Sequence, residues 1–381
     1  MNRRTRPRNR TGTRTRTRGA LAAMAATLLL GACAQNTAPA PPAPAPSAAS
    51  PLPATAPTPQ GLLLTADFEA DTVTFVDPER GAVASVTVGR APYGLAVGTD
   101  GRAWVATAEG VAVVDTRTRV RLALIPYRTA TGPATDGEYR GGGMGIALSP
   151  DGAHAYAGVN VPGTGGVLEV LDTAKSEVTA VVPVGRRPFD VDVSPDGAEV
   201  YVTGHDSFDV TAVSAGELRP RRIEVAPYGT EGGLASWLKP HYAVVRPSDG
   251  KLLLPFEGER LAVVDPRTGQ TRIEPMTADT HQHGAAVMPD GRLLVVGTGA
   301  VRPGDGRGPS LTVRSPDGAE RVYPLQGPHE DVAVSRDGRT AYVTGGYTRD
   351  GYWNGITVVD LDTGATRRLA AGARPLGIAV L

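Results

Sequence analysis

From Gly61 onward the chain repeats itself, its Asp-Gly turn signal recurring at intervals of 41 to 53 residues, and that period restricts its fold more than any other feature. One repeated signal is an apolar strand running into an Asp-Gly hairpin turn, clearest in Pro188-Phe189-Asp190-Val191-Asp192-Val193-Ser194-Pro195-Asp196-Gly197. Five relatives end at Asp100-Gly101, Asp151-Gly152, Asp249-Gly250, Asp290-Gly291 and Asp337-Gly338. A second signal, a Val-rich strand ending in an acidic or Ser turn, occurs at Asp77, Asp115, Asp172, Ser214, Asp265, Ser315 and Asp360. Each period leaves room for four short antiparallel strands, the content of one propeller blade.

The two counts, six and seven, predict how the ring closes. The first strand, Leu62 to Thr65, reads as the second strand of a blade, and the missing seventh inner strand is Arg374-Pro375-Leu376-Gly377-Ile378-Ala379-Val380 at the other end. The expected fold is therefore all-β, a seven-bladed β-propeller over residues 61–381, closed by pairing of the C-terminal strand with the N-terminal blade and leaving no open sheet edge. Gly and Pro make up about a fifth of the chain and aromatics 5%, which suits many strands joined by tight turns. The copies Glu199-Val200-Tyr201-Val202-Thr203-Gly204 and Thr340-Ala341-Tyr342-Val343-Thr344-Gly345 resemble the YVTN repeat of bacterial surface and periplasmic propellers, the YncE-like family. That resemblance implies a fold and an exported protein, and it leaves function to be argued from a site.

Residues 1–32 read as a lipoprotein-type signal peptide: eight arginines precede an apolar run, Ala20 to Leu30, that is too short to span a bilayer. Leu30-Gly31-Ala32-Cys33 resembles the bacterial lipobox, which implies acylation of Cys33 and an outer-membrane, periplasmic or cell-surface location for a chain whose only membrane attachment is that lipid. Cys33 is the only cysteine, so no disulfide forms within the chain. Residues 33–60, rich in Pro and Ala, read as a linker. Beyond residue 32 there are 31 basic against 39 acidic side chains, a net charge of −8 that argues against a nucleic-acid partner. The protein is expected to act as a monomer.

The longest excursions, at 127–140, 226–239, 299–309 and 346–355, all fall in loops on one face of the expected disc, which marks that face as the binding surface. Five of the six histidines fall there too. His205 lies in a loop between second and third strands; His241, His281, His283 and His329 lie where loops enter an inner strand; only His154 lies elsewhere. In three consecutive blades they occupy the place of Pro188 or Phe189 or a neighbouring one, so they are expected to converge on the mouth of the central channel. Converging imidazoles suit a transition metal such as zinc or copper, with Glu330, Asp331, Asp206 or Glu257 adding a ligand or fixing a ring. The stretch from His281 to Val295 is similar to part of the periplasmic zinc-chaperone propellers, over about one and a half blades.

The sequence leaves catalysis open and favours binding. No Gly-x-Ser-x-Gly elbow, haem-attachment motif, His-Glu-x-x-His motif or phosphate loop is present. A lactonase-like hydrolase working from the funnel face is one alternative, with Glu69, Glu257, Asp190 and Asp331 as candidate acids. The other is an interaction platform holding a protein or cell-wall polymer through Tyr93, Trp237, Tyr347, Tyr352 and Trp353.

Overall fold

The computed structural model describes residues 60–137, 139–225, 239–256, 260–277, 282–297, 308–346 and 351–381. The expected signal peptide, Cys33 and linker lie outside the described residues, as do His281, Glu257, Trp237 and Tyr347.

Seven four-stranded antiparallel sheets form the ring, and their inner strands touch in sequence all the way round. Blade 1 joins the inner strand Pro375–Val380 to Leu63–Asp67, Thr72–Asp77 and Gly81–Thr87, with Leu63 opposite Val380 and Leu64 opposite Ala379. The closure expected from the repeat count is thus present. The six Asp-Gly pairs form the turns between first and second strands of blades 2 to 7. Their glycines have φ between 68° and 86°, which glycine adopts without strain. Each aspartate accepts a hydrogen bond from the amide two residues on, as at Asp151 (3.0 Å) and Asp196 (3.0 Å). Blade 1 has no such turn because its first two strands come from opposite ends of the chain.

Strand alternation supplies the glue. Within blade 5, Leu252, Leu254, Ala262 and Val264 pack against blade 4, whereas Leu253, Leu261 and Val263 pack against blade 6. Every adjacent pair of blades shares one such buried cluster, and the seam between blades 7 and 1 is filled by Tyr342, Ile356, Val358 and Leu369 against Leu63, Val76 and Ile378. The ring is therefore held by seven sheet-on-sheet cores of the same kind.

At the axis the inner strands approach one another closely. The amides of Gly94, Gly284 and Gly377 donate to the carbonyls of Met144, Glu330 and Tyr93 on the neighbouring strand, at 3.0, 2.7 and 3.1 Å. A Cβ at Gly94 would lie 2.5 Å from the Met144 carbonyl oxygen, so glycine is required there.

Candidate functional site

Seven equivalent tripeptides lead into the inner strands: Pro92-Tyr93-Gly94, Gly143-Met144-Gly145, Pro188-Phe189-Asp190, His241-Tyr242-Ala243, Gln282-His283-Gly284, His329-Glu330-Asp331 and Pro375-Leu376-Gly377. Their middle residues include a buried apolar plug of Tyr93, Met144, Phe189 and Leu376, with Tyr242 packed against it. His283 and Glu330 are the polar members of the set. Phe189 is the hub: its ring lies 5.5 Å from Tyr93, 5.3 Å from Tyr242, 5.0 Å from His241 and 5.5 Å from His205, stacked on the last.

Beside this plug three of the predicted histidines come together. His205 and His241 face each other with their Nε2 atoms 3.1 Å apart, and the His241 ring stacks on that of His283 at 4.2 Å. All three side chains are buried. A carboxylate stands at each end of the row. Asp206 Oδ1 lies 2.7 Å from His205 Nδ1, and Glu330 Oε2 lies 3.0 Å from His283 Nδ1.

Burial depresses the His205 pKa to about 3, so the ring is neutral at ordinary pH. Its Nδ1 hydrogen then belongs to Asp206, and its Nε2 carries a lone pair. The contact with His241 follows as an Nε2–H donated by His241, a tautomer assigned by this hydrogen-bond argument. Burial raises the Asp206 pKa, but hydrogen bonds from His205 and Lys239 and the Lys239 charge more than reverse this and hold it below the ordinary carboxylate range. With His205 neutral, the cation that balances Asp206 is Lys239, whose Nζ is 2.9 Å away. At the other end Glu330 is wholly closed to solvent, and its Oε1 accepts hydrogen bonds from the hydroxyls of Tyr93 (3.1 Å) and Tyr242 (3.0 Å).

The fourth described histidine of the predicted set stands apart. His329 Nδ1 lies 2.8 Å from the Gly327 carbonyl and Nε2 lies 2.7 Å from the Thr357 hydroxyl, so both ring nitrogens are engaged within its own blade. It shares the first place of its tripeptide with His241, so place alone does not decide which ring joins the row. Asp331 also turns away from the imidazoles. It lines an axial cavity of about 220 Å³ together with Asp190 and Asp192. Burial raises the pKa of all three, that of Asp190 to about 6. Among the described residues no group of three or more His, Cys, Asp or Glu side chains is arranged to hold a metal ion. At the row itself two imidazole nitrogens, those of His205 and His241, face each other.

Sequence reasoning named Asp206 only as one of several possible supporting acids and missed Lys239 and the two tyrosines on Glu330. Pro-Tyr-Gly in blade 2 and His-Tyr-Ala in blade 5 carry the signal for the tyrosines, since both place Tyr where blade 4 has Phe189. Of the remaining candidate acids, Glu69 ties a loop together, accepting from Tyr352 (2.7 Å) and Arg374 (3.2 Å). Among the described loop aromatics, Tyr93 is buried in the plug, Trp353 packs on His329 and Arg368, and Tyr352 is 44% exposed.

No protein-family model matches the chain, and no curated protein matches it. Many solved structures share the fold. One titled as a functionally unknown protein from Desulfotomaculum acetoxidans is 10% identical, with a TM-score of 0.63, over 84% of this chain and 99% of that one. The periplasmic gluconolactonase of Pseudomonas aeruginosa is 15% identical, with a TM-score of 0.59, over the same shares. Hydrazine synthase of Kuenenia stuttgartiensis is 18% identical, with a TM-score of 0.56, over 71% of this chain and 77% of that one. At these identities the likeness is one of fold. The chain is a seven-bladed β-propeller with an imidazole row between two carboxylates at its axis.

Proposed function

We propose that this protein is an exported, lipid-anchored, non-catalytic binding propeller that takes a small ligand at the mouth of its central channel, a transition-metal ion of the zinc or copper class between His205 and His241. One observation carries the reading: the two Nε2 atoms are 3.1 Å apart. Two imidazoles bound to one tetrahedral ion at about 2.0 to 2.1 Å have their nitrogens about 3.3 Å apart, so the pair is nearly set for a shared ion in place of the shared proton. Asp206 on His205 Nδ1 supplies the outer hydrogen bond that orients such a ligand and raises its basicity. Export and lipid attachment are supported by the run from Arg3 to Cys33, and a YVTN-type, YncE-like kinship by the repeats at Glu199 to Gly204 and Thr340 to Gly345.

The test is stoichiometric uptake of zinc or copper, followed by calorimetry and elemental analysis. Wild type and a His154→Ala control are expected to bind one equivalent, and His205→Ala and His241→Ala to lose it. Equal binding by all four proteins, or by none, sinks the reading.

The Asp206–His205 contact favours a second reading, a lactonase-like hydrolase, because a carboxylate on Nδ1 prepares Nε2 to act as a general base once a substrate displaces the hydrogen bond from His241. The fold shared with a gluconolactonase is consistent with it. Lactone hydrolysis that persists under chelation and is lost in both His205→Ala and Asp206→Asn would select this reading over the first.

A further inference from the structure

Close to His205, two surface hollows run into each other, sharing Tyr139, Val161 and Pro162. The larger, about 560 Å³, lies against residues 130–137 and 139–141, where Ala130, Pro133, three glycines, Val161 and Pro162 give it a mostly apolar wall beside Tyr139 and Arg140. The smaller, about 110 Å³, is polar and is lined by Asn160, Arg186, Arg187 and Asp206. The combined shape is a groove with one apolar arm and one charged end.

The charges at that end are not equivalent. Asp206 is already held by His205 and Lys239, and the Arg187 guanidinium lies 4.1 Å over the Tyr139 ring and 5.4 Å from Phe189. Arg186 is exposed, and among the described residues no carboxylate pairs with it. A guanidinium at the end of an apolar trough suits a carboxylate that carries a hydrocarbon chain: the planar fork accepts both oxygens, and the trough removes methylenes from water. A combined volume of several hundred Å³ is within the usual range for a small organic ligand.

We propose that this groove binds a small amphipathic carboxylate, with its chain along Pro133, Val161 and Pro162 and its head on Arg186. The groove adjoins the imidazole pair through Asp206, but neither Arg186 nor Pro133 touches His205 or His241, so zinc uptake by the same variants tests that other reading separately.

Calorimetric titration of the full chain, in the presence of chelator, with butyrate, hexanoate, octanoate and octanol decides the matter. Affinity is expected to rise about fourfold for each methylene buried. Arg186→Ala is expected to weaken octanoate at least tenfold and to abolish its advantage over octanol. Pro133→Glu, at an exposed loop position, is expected to weaken octanoate without changing the melting temperature or zinc uptake. Affinity independent of chain length overturns the proposal, as does octanoate binding unchanged in both variants. Retention on phosphatidylglycerol vesicles with no binding of soluble octanoate overturns it as well, by identifying a membrane as the occupant.

Discussion

Glu330 places one carboxylate oxygen 3.0 Å from His283 Nδ1 and uses the other to collect the hydroxyls of Tyr93 and Tyr242, in a position sealed from water. One acid thus ties together three blades besides its own. Removing a partner from a buried polar network leaves the others unsatisfied, at a cost of about 1 to 3 kcal/mol each. Glu330→Ala is therefore expected to lower stability by about 3 kcal/mol or more. Glu330→Gln, which keeps an acceptor for the tyrosines, should lose clearly less. Chemical denaturation checks the order, and equal losses would show that the network contributes little.

His329 and His205 are both buried imidazoles, but they should behave differently when deleted. His329→Ala strips the Gly327 carbonyl and the Thr357 hydroxyl of their partner and is expected to cost about 2 kcal/mol. Zinc or copper uptake should be unchanged. Metal uptake lost in His329→Ala but retained in His205→Ala would reverse the roles of the two rings.

Stability should depend on pH through Asp67. The carboxyl is fully buried, and burial pushes its pKa up to about 7 against the opposing hydrogen bonds from Thr74, Thr65 and Thr72. An unfolded chain releases this proton near pH 4, whereas the folded protein keeps it until about pH 7. Between those values the unfolded state binds fewer protons, so stability falls as pH rises through the window and is level above it. Asp67→Asn is expected to flatten that slope. Urea midpoints at about pH 4.5 and 7.5 measure it, and identical slopes in wild type and variant would contradict the expectation.

Two glycines separate backbone strain from steric exclusion. Gly152 sits at φ 70° with nothing within 4 Å of where a Cβ would stand, so Gly152→Ala should cost about 1 kcal/mol of left-handed strain alone. At Gly94 a Cβ would meet the Met144 carbonyl oxygen at 2.5 Å. Gly94→Ala is expected to cost about 3 kcal/mol or more, because two inner strands must separate. Comparable melting temperatures for the two variants would argue against close strand approach at the axis.

The fold was legible because its signals are local and recur. An Asp-Gly turn needs a positive φ wherever it stands, and six copies against seven Val-rich strands leave one inner strand to be supplied by Arg374 to Val380. The site was legible by halves. Tripeptide equivalence identified which residues enter the channel mouth, and three of the predicted histidines do meet there. It did not separate His241 and His283 from His329, because the three enter at equivalent or neighbouring places and only the partners each ring meets, Gly327 and Thr357 for His329, decide where it is held. Partnerships such as Asp206 with Lys239, 33 residues apart, or Glu330 with Tyr93, 237 residues apart, arise from neighbouring loops and from the axis, and no local pattern marks them.

The pairing of Leu63 with Val380 sets the order in which the molecule can be completed. Blades 2 to 7 each draw on one continuous stretch of chain and can assemble as that stretch becomes available, but the first sheet lacks its inner member until Pro375–Val380 emerges. Until then the strand that carries Leu63 lacks its inner partner, and the nascent ring is a lock-washer with a sticky gap. Premature release of a polypeptide short by a single strand would leave that gap permanently open, and two such rings would be natural partners for each other.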